Sequence, residues 1–108
     1  MRSEYGYAWG KLYLAMRAMA ISTAPLPRRV ADAFRTHLLS LGIHNLPPEQ
    51  HERFKALRSK LAASPDDADE DHTFEFAVLS PEQAVALADE IFSLYDEIAR
   101  HTGRETAA

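Results

Sequence analysis

Along the first stretch of the chain Tyr5, Trp9, Leu12, Met16 and Met19 recur at alternating spacings of four and three. That is the period of an amphipathic α-helix, and it predicts a first helix over residues 3–23, stopped by Pro25 and Pro27. A second helix is predicted from residue 27 or 28 to 41, with Val30, Phe34, Leu38 and Leu41 facing inward. Gly42 follows its last turn, where a glycine commonly takes the left-handed cap conformation, and Ile43 would supply the apolar contact that accompanies such a cap.

Pro47-Pro48 opens a third helix, since a missing N–H does no harm in a first turn. Its narrow stripe of Phe54, Leu57 and Leu61 marks it as peripheral. The most explicit start signal in the chain is Ser80-Pro81-Glu82-Gln83, with a capping hydroxyl, a Pro at the first helical position and a Gln at the third. The helix it opens carries Leu87, Ile91, Leu94 and Ile98 inward and Asp89, Asp96 and Glu97 outward, and Gly103 is expected to end it.

Between the third and last helices, residues 64–72 lack periodicity and concentrate like charge, which predicts a mobile acidic surface loop. Residues 73–79 read two ways. Phe74, Phe76 and Val78 alternate like a strand, whereas Phe74, Ala77 and Val78 fit a helical turn. A lone strand would lack a partner, so a short helix is expected there. The fold expected is therefore all-α, a compact antiparallel bundle of four principal helices with that short helix before the last one. Residues 1–108 should form one domain, because a chain of 108 residues has room for a single core.

In order and spacing, these signals resemble those of small uncharacterised bacterial helical proteins. The matching pieces are Trp9 and Leu12, the run from Pro25-Leu26-Pro27 to Arg28-Arg29-Val30-Ala31-Asp32-Ala33, Leu46-Pro47 with Phe54, and Ser80-Pro81-Glu82-Gln83-Ala84 leading to Leu94-Tyr95-Asp96. The resemblance implies the helical fold and carries no activity and no functional residue.

Composition adds little to this picture and removes several chemistries. With no cysteine, disulfides, thiolate metal sites and cysteine nucleophiles are excluded, and a reducing, cytoplasmic setting is expected. The apolar stretch over residues 12–21 is interrupted by Arg17 and falls short of the ~20 residues a membrane span needs, so it is expected to be a core helix and no membrane association is expected. Charge is distributed unevenly. Residues 1–63 carry ten Lys/Arg against four Asp/Glu, or +6, and residues 64–108 carry two against twelve, or −10. Such a split pairs the halves within one fold or joins two chains.

The five histidines and the carboxylates are the residues that could carry chemistry. His37, His44 and His51 lie seven apart, but Gly42 and the two prolines break any helix that would align them. The Glu-x-x-His pairs of di-iron bundles are missing, so no metal and no cofactor is expected. Asp67, Asp69 and Asp71 mimic half of a calcium loop, but His72 stands where the turn glycine belongs and Val78 where the bidentate Glu belongs. Helical ribonucleases of the HEPN type carry an Arg four to six residues before a His, and no histidine here has one. His37 projects inward on the second helix and reads as a core or boundary residue.

What remains is a surface. Tyr7, Leu14, Ala18 and Ile21 fall on the reverse side of the first helix, bordered by Lys11 and Arg17. A helix apolar on two opposite sides either lies centrally in its own fold or offers one side to a partner. The function expected is thus non-catalytic: a protein-interaction or accessory protein that self-associates through this strip. The alternative is a nucleic-acid-associated accessory protein, using Arg28, Arg29 and Arg35 on the second helix with Arg53, Lys55, Arg58 and Lys60 on the third.

Overall fold

In the computed structural model, residues 5–63 and 76–107 are described, with side chains as far as His101. Four α-helices carry the fold: α1 (Gly6–Ile21), α2 (Leu26–Ala33), α3 (His51–Leu61) and α4 (Pro81–Ala107). The acidic loop expected over 64–72, residues 73–75 and the expected helix start at residue 3 lie outside the described residues.

Alanine and unbranched apolar residues make α1 a strong helix former, and it ends where Ser22 turns extended with ψ 145°. Its buried line is Ala8, Leu12, Ala15 and Met19, while Tyr5, Trp9 and Met16 flank the core half-buried. The inward face is therefore rotated from the one read off the large side chains. Ala8 and Ala15 are fully buried beside Leu12, and the bulky Tyr5, Trp9 and Met16 lie on the flanks.

Pro27 stands in the first turn of α2, which runs on into a π-helical turn at Phe34–Leu38 where the Leu39 N–H donates to the Phe34 carbonyl at 2.9 Å. Steps of four residues in an α-helix drift by about 40° each at ~100° per residue. The wider turn takes that drift back, so Val30, Phe34 and Leu38 all stay buried.

Gly42 is extended, with φ −108° and ψ 164°, and no described glycine has positive φ, which corrects the expected left-handed cap. Instead, Asn45 Oδ1 accepts the Gly42 N–H at 2.9 Å and opens a 3₁₀ turn at Ile43–Asn45, leaving Ile43 exposed. A second 3₁₀ turn at Pro48–Gln50 leads into α3, whose Phe54, Leu57 and Leu61 are buried as their spacing indicated.

The short helix expected before α4 is absent from residues 76–80. Phe76 forms an isolated antiparallel bridge with Ala62, and the Ala77 N–H donates to the Leu61 carbonyl at 2.8 Å. The partner that an extended segment needs is the chain just past α3, and the bond satisfies one of the orphan carbonyls at that helix end. The same geometry sets the Phe76 ring edge-on to Phe34 at 6.2 Å, with Phe34 in turn stacked on Phe54 at 6.3 Å. Finally, α4 runs past Gly103 to Ala107, since glycine weakens a helix by about 1 kcal/mol without breaking it.

One cluster of apolar side chains from all four helices forms the core, and no polar or charged residue is buried among the described residues.

Candidate interaction surface

α1 packs against α4 on one flank and against α2 with its π-helical turn on the other. Its outward arc is left bare. Tyr7 is 52% exposed, Tyr13 45%, Leu14 40% and Ile21 65%. Arg17 lies among them and makes no ion pair among the described residues. Gly6 and Gly10 share this arc, and a Cβ placed on either would meet only open space. Each glycine costs a helix about 1 kcal/mol relative to alanine.

The six residues singled out from the sequence do not all stand alike. Tyr7, Leu14, Arg17 and Ile21 are exposed, whereas Ala18 is half-buried against the core and Lys11 is half-buried at the border with the π-helical turn. Along that border the Tyr7 hydroxyl lies 3.4 Å from Ser40 Oγ, and Lys11 Nζ sits 5.6 Å from the centre of the Tyr7 ring. Burial holds the His37 imidazole below its ordinary pKa, and the nearby Lys11 ammonium adds to the effect. This margin is thus fastened to the fold, and the free part of the face lies toward Leu14, Arg17 and Tyr13.

On α4, Val85 and Phe92 are exposed one heptad apart, next to half-buried Ala88 and Tyr95. Their spacing of seven is the signal in the sequence that marks them. Trp9 joins the two helices' surfaces, stacking on Tyr13 at 5.5 Å and meeting Tyr95 at 6.2 Å.

No family model, curated protein or solved structure matches the chain. The reading of this face therefore rests on its own geometry.

The basic residues of the second and third helices are largely engaged. Arg28 and Arg35 share Asp32 at 3.4 and 3.0 Å, Lys55 pairs with Glu52 at 3.1 Å, and Lys60 pairs with Glu90 at 3.0 Å. The Arg35 guanidinium also lies 4.5 Å over the Phe76 ring. Arg29 serves the backbone, its Nε donating to the Ala24 carbonyl at 2.8 Å and its Nη1 to the Met19 carbonyl at 3.1 Å. Arg53 is exposed and Arg58 half-buried. These contacts divide the cations among carboxylates, a ring and a helix end instead of leaving one free positive field.

The histidines fall on separate elements: His37 in the π-helical turn, His44 in a 3₁₀ turn and His51 at the start of α3, where its Nε2 lies 2.9 Å from the Leu46 carbonyl oxygen. No group of three metal-ligating side chains converges among the described residues. A hollow of about 160 Å³ is lined by Pro47, Glu49, Gln50, Glu97 and His101, and the buried Gln50 Oε1 there has no hydrogen-bond partner among the described residues. A shallower one of about 430 Å³ lies between Lys60, Leu79, Gln83, Ala86, Leu87 and Glu90. Among the described residues, no helix is long and apolar enough to cross a membrane.

Proposed function

We propose that the protein works by binding protein, without catalysis, and that it self-associates through the outward face of α1. The observation that carries this reading is the near-absence of charge on that face. Tyr7, Tyr13, Leu14 and Ile21 are exposed together, with Arg17 as the one charged side chain in the arc. Apolar side chains massed on a helix flank are a mark of a contact surface, and glycines at positions 6 and 10 let a neighbouring backbone or bulky side chain approach closely.

The nucleic-acid reading has less in its favour, because Arg28, Arg35, Lys55 and Lys60 face carboxylates and Arg29 is bound to backbone carbonyls. The cysteine-free sequence is the ground for placing this activity in the cytoplasm.

Light scattering across a concentration series tests the reading. The parent is expected at twice the mass of one chain or more, and the double variant Tyr13→Glu, Leu14→Glu at the mass of a single chain with unchanged helical circular dichroism. A parent that stays monomeric at high concentration, or a folded double variant that keeps the parent's mass, overturns it.

A further inference from the structure

The two halves of the apolar face belong to different helices, and their charges are opposite. On α1, the positions turned directly away from the buried Ala8 and Met19 are Gly6, Gly10 and Arg17, at ~100° per residue. On α4, the positions turned away from the buried Ile91 include Asp89, Asp96 and Arg100. Tyr13 and Ala20 lean from α1 toward the groove between the two helices, and Phe92 and Val85 lean toward it from α4. An apolar strip is thus rimmed by Arg17 on one side and by Asp89 on the other.

The heights of these residues also correspond. Trp9 meets Tyr95 and the Tyr5 ring meets His101 at 5.0 Å, so α1 and α4 run antiparallel. Counting forward along α1 and back along α4 from those contacts sets Tyr13 level with Phe92 and Arg17 level with Asp89, to within about two residues. Ala20 comes level with Val85 in the same way. Neither Arg17 nor Asp89 has an ion-pair partner among the described residues, whereas Arg28, Arg35, Lys55, Lys60 and Arg100 all have one.

We propose that a second copy of this chain seats on this face about a two-fold axis running along the α1–α4 groove, pairing Arg17 of each copy with Asp89 of the other. A rotation about an axis parallel to the helices keeps every residue at its height and exchanges the rims. It lays α1 of one copy on α4 of the other. Tyr13 then packs on the other copy's Phe92, and Arg17 and Asp89 find opposite partners twice over. Gly10 and Gly6 come opposite the other copy's Asp96 and Arg100, which pair with each other at 2.9 Å and need the room that a missing Cβ provides. Glu82 lies beyond the level of the α1 end and stays in solvent. Opposite charges at matched heights on the two rims make a second copy the occupant, since a two-fold mate uses each of them.

This inference rests on the self-association proposed above and assigns its register. The test is a charge exchange read by sedimentation of dilution series, with circular dichroism confirming the fold. Arg17→Glu and Asp89→Arg should each weaken the dimer about tenfold or more, since each sets like charges opposite one another at two symmetric places. Arg17→Glu combined with Asp89→Arg should return the dissociation constant to within about threefold of the parent. Phe92→Ser, at an exposed position, should weaken the dimer while leaving the helices intact. If the combined variant is no tighter than either single one, the register is wrong. If both single variants dimerise like the parent while Leu14→Glu is monomeric, the register is again wrong and self-association through α1 stands. A parent that is monomeric at every concentration overturns both.

Discussion

Replacing Arg29 by Met removes two hydrogen bonds, one to the last turn of α1 and one to the segment that connects it to α2. The last carbonyls of α1 have no partners within the helix, and its last turn contains no basic residue. From a half-buried position Arg29 reaches back to supply both needs by donating to Met19 at 3.1 Å, and it also donates to Ala24 in the connecting segment at 2.8 Å. Hydrogen bonds from a charged donor contribute about 1.5–3 kcal/mol each, but these two share one guanidinium and water can replace part of them. The expected loss is about 2 kcal/mol, which lowers the urea midpoint by roughly 1 M for a small domain. Arg29→Lys keeps a point charge and one donor direction, so about half the loss should remain. Arg28→Met is the control, because that side chain is 74% exposed and its 3.4 Å pair with Asp32 contributes well under 1 kcal/mol. Urea titrations followed at the helical circular dichroism band read all three. Equal midpoints for Arg28→Met and Arg29→Met, or an Arg29→Met midpoint at the parent's value, would refute the capping role.

Ser80→Ala should cost about 1 kcal/mol, because Ser80 Oγ accepts the Gln83 N–H at 3.1 Å while Gln83 Oε1 accepts the Ser80 N–H at 2.8 Å. An unchanged denaturant midpoint would count against the reciprocal cap. Burial and Lys11 lower the His37 pKa in the folded state, so the unfolded chain binds the proton more readily. Stability from this group is complete above the unfolded value of about 6.5 and is lost as pH falls through it toward the folded value. Between about pH 7.5 and about pH 5 the parent should therefore lose more stability than His37→Gln, and Lys11→Met should narrow the difference. Identical pH slopes for parent and His37→Gln would remove His37 as a source.

Local signals carried much of the helical pattern. The Ser80 cap and the Phe54, Leu57 and Leu61 stripe depend on neighbours within one or two turns, and both stand where their spacing put them. Features set by contacts outside a single helix were not legible. The residues from Phe76 onward lack a partner only when read alone, and Ala62 beyond the end of α3 provides it. Gly42 after a helix suggests a left-handed cap, but the Asn45 side chain takes its N–H and leaves no need for one. Arg29 beside Arg28 suggests a shared basic patch, yet the first binds a helix end and the second faces solvent.

The first helix is where the two kinds of information meet. Periodicity established that apolar residues lie on opposite sides of α1, and it could not rank them, because large side chains dominate such a reading. The fold buries Ala8 and Ala15 along with Leu12 and Met19, leaving Tyr13 exposed and Trp9 half-exposed. With alanine at Ala8 and Ala15, the bulkier Tyr5, Trp9 and Met16 stand on the flanks of the core. For α1 the flanking side chains point to the surface it shares with α4, where Phe92 and Val85 are similarly exposed. That arrangement enlarges the apolar surface outside the core and extends it beyond the strip of Tyr7, Leu14 and Ile21 that the sequence pattern identified.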